Sequence, residues 1–253
     1  MIKKIIAVVN QKGGVGKTTT SINLATALAS IGCKVLLIDL DPQGNASTGM
    51  GVTQQEREGS AYDLMAFDTK AEDIIKHSNI PNMDIIVATV DLSGAELELI
   101  SKPNREFVLK NKTTSIADNY DYIFIDCPPS LSILTINALV CAHSVLIPLQ
   151  CEFFALEGLA HLLKTIELTK KKLNPTLKVE GVLLTMYDRR YNLTAQVEED
   201  VRKHLGNRVF ETVIPRNVRI SEAPSHGKPA LIYDFKCIGS MAYISLAKEL
   251  LTR

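Results

Sequence analysis

Residues 9–19 read Val9-Asn10-Gln11-Lys12-Gly13-Gly14-Val15-Gly16-Lys17-Thr18-Thr19. Glycines let a backbone turn tightly and bring N–H groups up to phosphate oxygens. Lys17 supplies a point charge for the β- and γ-phosphates of a nucleotide, and the Thr18 hydroxyl suits Mg²⁺. Two further stretches end in carboxylates. Val35-Leu36-Leu37-Ile38 runs into Asp39-Leu40-Asp41-Pro42, and Tyr122-Ile123-Phe124-Ile125 runs into Asp126-Cys127-Pro128-Pro129. A carboxylate at such a place can orient a water or hold metal-bound waters. Taken singly, each string has a plain reading. The first could be a flexible turn, the second a pair of turn-forming acids before Pro42, and the third an ordinary strand end.

Position decides among these readings. The glycine-rich loop follows the apolar run Ile5–Val9 and opens a helical pattern over Ser21–Ala29, which is the setting a P-loop requires. Five short apolar runs read as buried parallel strands: Ile5–Val9, Val35–Ile38, Tyr122–Ile125, Ser144–Leu149 and Gly181–Met186. Helical periodicity lies between several of them, clearest over Leu156–Leu173, and residues 236–251 close the chain as an amphipathic helix. Alternation of this kind predicts a mostly parallel sheet covered by helices on both faces. Residues 42–60 read as a mobile loop with short helical pieces. Residues 100–120 are polar and give no clear element. With 253 residues and no linker, the chain reads as one domain over 1–253.

Composition excludes some functions. Lys and Arg total 28 and Asp and Glu total 28, so bulk charge predicts neither nucleic acid nor an acidic membrane, and any such binding must come from a local patch. The five cysteines form no CxxC and no zinc pattern, and read as reduced, mostly buried thiols. Cys127 touches the third string, but nothing in the sequence activates it, so it reads as packing. After Lys3-Lys4, too few apolar residues precede Asn10 for a signal-peptide core or a membrane span.

One departure from the usual P-loop is specific. Gln11 stands where the standard pattern has its first glycine, and an extra lysine, Lys12, lies inside the loop. This string resembles the deviant Walker A motif of the ParA/MinD/nitrogenase-iron-protein ATPases. Asp39–Ser47 resembles the Walker A′ motif, and Asp126–Ser130 resembles Walker B. The string Ile214-Pro215-Arg216-Asn217-Val218-Arg219-Ile220-Ser221-Glu222-Ala223-Pro224-Ser225-His226-Gly227-Lys228-Pro229 is similar to the ParA/Soj chromosome-partitioning branch.

The resemblance carries expectations of its own. It implies a P-loop NTPase fold with a mostly parallel, twisted central sheet flanked by helices on both faces. ATP would bind through Lys12, Gly13, Gly14, Val15, Gly16, Lys17, Thr18 and Thr19, with Met186, Pro215, Arg216 and Asn217 beside the adenine. Thr18, Asp39 and Asp126 would serve Mg²⁺. Lys12, Lys17 and Asp41 would carry catalysis, Asp41 by positioning water and Lys12 by reaching the nucleotide of a second subunit. That implies an ATP-state homodimer. Arg190 and Arg219 match positions that contact DNA backbone, so the implied partners are non-specific double-stranded DNA and a ParB-type protein that stimulates hydrolysis. Without the resemblance these arginines read as solvated charges, and Lys170-Lys171-Lys172 reads as a solvated helix end. The implied location is cytoplasmic and nucleoid-associated. The chain begins at its first strand, so the N-terminal helix-turn-helix of larger plasmid-type relatives is not expected.

Two other readings stand beside this one. A MinD-like membrane-cycling ATPase needs a basic-apolar C-terminal tail, whereas Ser245–Arg253 fits a docked final helix with no such tail. A redox iron–sulfur carrier needs cysteine ligands, and neither Cys127 nor Cys151 lies in a glycine-bordered loop.

Overall fold

A computed structural model describes residues 4–253; the lead-in residues before Lys4 lie outside it. Seven strands form one sheet: β1 Lys4–Val8, β2 Val35–Asp39, β3 Lys76–His77, β4 Met83–Ile86, β5 Tyr122–Asp126, β6 Ser144–Gln150 and β7 Lys178–Thr185. The order across the sheet is β3-β4-β2-β5-β1-β6-β7, and every pairing is parallel except β3 with β4.

Helices fill the connections. They are α1 Lys17–Ser30, α2 Asn45–Gly49, α3 Ala61–Ala66, α4 Leu92–Ile100, α5 Val108–Thr113, α6 Ile133–Cys141, α7 Ala155–Lys172, α8 Asn192–Leu205, α9 Val218–Glu222, α10 Ala230–Tyr233 and α11 Ile238–Leu251. Successive strand residues point to opposite faces, and two cores result. Ile6, Val8, Leu37 and Phe124 pack with α1 and α11 through Leu24, Leu28, Tyr243 and Leu246. Ala7, Ile38, Ile123 and Ile147 pack on the other face with α6 and α7 through Leu134, Ala138, Leu159 and Leu162. Burial on both faces explains why the central strands are continuous apolar runs.

The topology also fixes where a ligand can sit. From β1 the chain moves past the place of β5 to β2, whereas from β5 it crosses β1 to reach β6. This reversal beside β1 opens a crevice at the carboxyl ends of the strands. Val8 and Asp39 are both in register with Asp126, so the segments after β1, β2 and β5 leave the sheet side by side.

Two strands escaped sequence reading. β3 has only two residues, and β4 carries Asp84 inside its apolar run, where it accepts from the Tyr120 hydroxyl at 2.8 Å and contacts His77 Nδ1 at 2.7 Å. Helix α1 starts at Lys17 rather than Ser21, because Lys17-Thr18-Thr19-Thr20 face a ligand crevice and carry no apolar stripe. Residues 100–120 resolve into the end of α4, α5 and short turns.

Candidate functional site

The loop between β1 and α1 holds its shape through its own polar atoms. Asn10 is buried; its amide donates to the Pro148 carbonyl at 2.7 Å, and its Oδ1 accepts from Lys12 N–H at 2.9 Å. Thr185 Oγ1 donates to the Val15 carbonyl at 2.8 Å, tying β7 to the loop. Gly14 and Gly16 have φ of 77° and 87°, a left-handed backbone that most side chains avoid. Gly16 is the N-cap of α1 and makes no side-chain cap, so the first N–H groups of the helix face the crevice.

Lys17 is buried, and its Nζ donates to the Lys12 carbonyl at 3.0 Å, which arches the loop over its own lysine. Burial lowers the Lys17 pKa, while Asp126, Cys127 and Asp41 oppose the shift. Lys12 points away and forms an ion pair with Glu152, which follows β6. Both side chains are about half exposed. Glu152 did not stand out in the sequence, since nothing local links a residue after β6 to the loop after β1.

The three acids occupy different environments. Asp39 is fully buried, and its Oδ2 accepts from Ser47 N–H at 2.8 Å and Ser47 Oγ at 2.7 Å. Its Oδ1 accepts from Asp41 N–H at 3.3 Å. Burial pushes its carboxyl up to about 6, against the pull of the Ser47 bonds. The Asp39 carboxylate is therefore engaged with the 42–60 segment, and that segment is no loose loop. Ser47 and Arg57 are buried within it, Ser47 Oγ accepts from Ala88 N–H at 3.0 Å, and Arg57 donates to the Ala88 carbonyl at 3.1 Å.

Asp126 is the opposite case. It is fully buried, Oδ1 accepts from Ser21 Oγ at 2.8 Å, and Oδ2 has no hydrogen-bond partner. Burial pushes the carboxyl up to about 7; the Asp39 charge adds to this, and the Thr18 and Ser21 hydroxyls oppose it. A buried carboxylate oxygen without a donor is costly. A hard cation, directly or through its waters, removes that cost, and hydroxyl and carboxylate oxygens are the donors Mg²⁺ prefers. Thr18 and Asp126 therefore fit a magnesium ion, with Asp39 behind them. Ser21 sits one helical turn beyond Lys17, on the same face, and that spacing was a signal the sequence reading passed over.

A cavity of about 500 Å³ opens onto this edge, lined among others by Gly13, Gly14, Gly16, Lys17, Thr18, Thr19, Asp41, Met186 and Lys228. Asp41 is nearly buried at its wall, with Oδ1 accepting from Gln43 N–H at 3.0 Å. A smaller recess of about 120 Å³ continues past Thr19, bounded by Met186, Pro215, Arg216, Asn217 and Tyr243. Met186 has φ 48°. Its neighbour Tyr187 N–H donates to the Ile214 carbonyl at 2.9 Å, which ties the turn to the 214–217 segment. The two recesses together have the form of a phosphate channel leading to a base slot.

The predicted DNA-contacting arginines lie outside these cavities. Arg190 is exposed and forks onto Asp188, with Nε 2.9 Å from Oδ1 and an Nη 2.6 Å from Oδ2. Arg219, on α9, pairs with Glu222 at 3.0 Å and Asp234 at 3.5 Å.

Residues 3–179 match the family described as AAA domain. The chain is 56% identical over 246 residues to the sporulation initiation inhibitor protein Soj of Bacillus subtilis, covering 97% of each. It is 53% identical over 252 residues to the chromosome partitioning protein ParA of Caulobacter vibrioides, covering 99% of this chain and 94% of that one. The chain belongs to the Soj/ParA family of chromosome-partitioning P-loop ATPases. Among solved structures, cobyrinic acid a,c-diamide synthase from Mycobacterium smegmatis, with bound ATP analogue and magnesium, superposes with a TM-score of 0.87. It is 35% identical and is covered over 95% of its length. As expected of a Soj/ParA chain, a mostly parallel sheet lies between two helical layers.

Proposed function

We propose that this Soj/ParA protein is a Mg²⁺-dependent ATP-hydrolysing switch for DNA partitioning. The observation that carries the reading is the buried Asp126, whose Oδ2 has no hydrogen-bond partner, behind the Lys17 and Thr18 that line the glycine-rich phosphate channel. ATP enters with its phosphates along Gly13–Thr19, where the α1 N-terminus and Lys17 balance their charge. Thr18 and Asp126 hold Mg²⁺, which neutralises charge on the β- and γ-phosphates. The adenine occupies the recess of Met186, Pro215, Arg216 and Asn217.

Hydrolysis forms a bond between a water oxygen and the γ-phosphorus and breaks the bond to the β–γ bridging oxygen. Asp41, nearly buried and held by Gln43 N–H, orients that water. Lys17 offsets the charge that gathers on the bridging oxygen. Lys12 lies on the outer side of the loop, so its present ion pair with Glu152 must break before it can serve a nucleotide in a second subunit.

ATP closes the homodimer, and the dimer binds non-specific double-stranded DNA through Arg190 and Arg219. A ParB-type partner stimulates hydrolysis and releases it, so nucleotide state selects the DNA-binding state. The protein then cycles on the nucleoid in the cytoplasm. No helix among the described residues is long and apolar enough to cross a membrane, and α11 buries Tyr243, Leu246, Ala247 and Leu250 against the core. The likeness to the chromosome partitioning protein ParA supports the partitioning reading over a MinD-like membrane cycle.

The test is turnover with and without Mg²⁺ in the wild type and in Asp126→Asn. The reading expects Mg²⁺-dependent phosphate release in the former and a loss of about 10²-fold or more in the latter. Equal turnover in EDTA would remove the metal from the reading.

A further inference from the structure

A cavity of about 1080 Å³ lies at the amino ends of β1, β6 and β7, away from the phosphate channel at the carboxyl ends of the strands. Its wall carries five cationic side chains, Lys4, Lys170, Lys178, Arg208 and Arg253, against the carboxylates of Glu180 and Glu211. In a chain of zero net charge this local excess is unusual.

The two carboxylates do not neutralise it. Glu180 is largely buried in the floor, with Oε1 3.2 Å from Lys4 Nζ and Oε2 accepting from Ser144 Oγ at 2.6 Å. Glu211 is exposed and reaches Arg202, outside the cavity, at 3.8 Å. Arg253 is also spent: it donates to the Val209 carbonyl at 2.9 Å, pairs with Glu249 at 3.0 Å, and lies 4.1 Å over the Phe210 ring. Lys170, Lys178 and Arg208 remain, and among the described residues none of them has a carboxylate partner.

His143 adds a donor. Its Nδ1 accepts from Ile5 N–H at 3.0 Å, so the neutral ring carries its proton on Nε2. Burial lowers the His143 pKa, which keeps the ring neutral. Asn207 supplies a side-chain amide, and Pro175, Val179 and Val209 give apolar strips between the polar groups.

We propose that this cavity binds a compact, multiply phosphorylated small molecule, with Lys170, Lys178 and Arg208 as the charge-bearing contacts. Several cations without carboxylate partners around one concavity suit several phosphates on one small frame. A duplex needs a ridge or groove running along its length, whereas these cations ring a single depression floored by the Lys4–Glu180 pair. Volume also favours a small molecule, since ligand pockets run to about 1,000 Å³. The site would let a soluble metabolite act on the ATPase from the far end of the sheet that carries its phosphate loop.

Tripolyphosphate is the probe, titrated calorimetrically into the full chain with ADP saturating the phosphate channel and free Mg²⁺ in excess over both. The proposal expects one further site that weakens as salt rises. In Lys178→Glu/Arg208→Glu this site should weaken more than tenfold while ADP affinity stays within twofold. In Lys17→Ala, which disables the phosphate channel, the site should remain. Three results would overturn the proposal: no heat beyond the ADP site, binding indifferent to the double substitution, or binding lost in Lys17→Ala. Polyglutamate or random duplex DNA binding through Lys178 and Arg208 more tightly than tripolyphosphate would overturn it in favour of a macromolecular partner.

Discussion

Ser21 Oγ and Asp126 Oδ1 meet at 2.8 Å inside the core, one turn of α1 beyond Lys17, while the other Asp126 oxygen has no hydrogen-bond partner. Ser21 itself is anchored by a 3.0 Å bond to the Lys17 carbonyl. The helix that presents the phosphate-binding groups therefore also orients the carboxylate from β5. Ser21→Ala should remove the donor to Oδ1 from a buried carboxylate whose Oδ2 already lacks a partner. It should cost about 1–3 kcal/mol of stability without nucleotide. Denaturant melts with and without MgATP would check this, and the nucleotide should recover much of the loss.

The Lys12–Glu152 pair joins two half-exposed side chains, and exposed pairs contribute about 0–1 kcal/mol. Glu152→Gln should therefore favour the ATP-state dimer by no more than about fivefold, with the difference shrinking in high salt. Lys12→Ala should abolish that dimer. Sedimentation of both variants in ATP distinguishes a holding role for Glu152 from a structural one, because a structural role would change the melting temperature and leave assembly alone.

Met186 adopts a left-handed backbone that Asn accepts and a β-branched residue resists. Met186→Ile should cost about 1–3 kcal/mol in strain and weaken nucleotide binding, whereas Met186→Asn should keep the fold. Thermal melts paired with ADP titrations separate the two effects. If Ile and Asn behave alike, the base slot does not depend on this turn.

Ser47 gives Asp39 two hydrogen bonds, and Ser47→Ala removes the 2.7 Å hydroxyl bond together with the bond from Ala88 N–H. A loss of about 1–3 kcal/mol is expected, with faster amide exchange across residues 42–60. Unchanged exchange would mean that Arg57 alone holds that segment.

How far the sequence could be read follows from where each signal lies. The loop from Asn10 to Thr19 and the acids at the ends of β2 and β5 were legible because glycine, lysine and carboxylate at fixed offsets from apolar runs have local consequences. The central strands were legible because burial on both faces leaves no polar interruption. β4 was not, since Asp84 is tolerated there only through Tyr120 and His77, which lie elsewhere in the chain. Glu152 and Ser47 were missed for the same reason: each reaches its partner through the fold. Residue types alone read Arg190 and Arg219 as solvated charges, and only the resemblance implied DNA contact; their carboxylate partners give the two readings a physical form. A phosphate must compete with Asp188 for Arg190, and with Glu222 and Asp234 for Arg219.

That competition yields a further expectation. Asp188→Asn frees the Arg190 fork and should strengthen binding to duplex DNA several-fold at low salt, where phosphate contacts dominate. Arg219→Glu should abolish DNA binding while leaving ATP binding intact. Electrophoretic shifts on random-sequence duplexes would check both; weaker binding by Asp188→Asn would show that the carboxylate orients Arg190 and does not restrain it.

The most direct measurement is the binding of the Asp41→Ala protein to random-sequence duplex DNA, in ATP and in ADP, across a salt series. The account predicts binding in ATP alone, with log affinity falling linearly as log salt rises. Absence of binding in both nucleotides, from a protein that still dimerises in ATP, would contradict the DNA switch and leave only the ATPase.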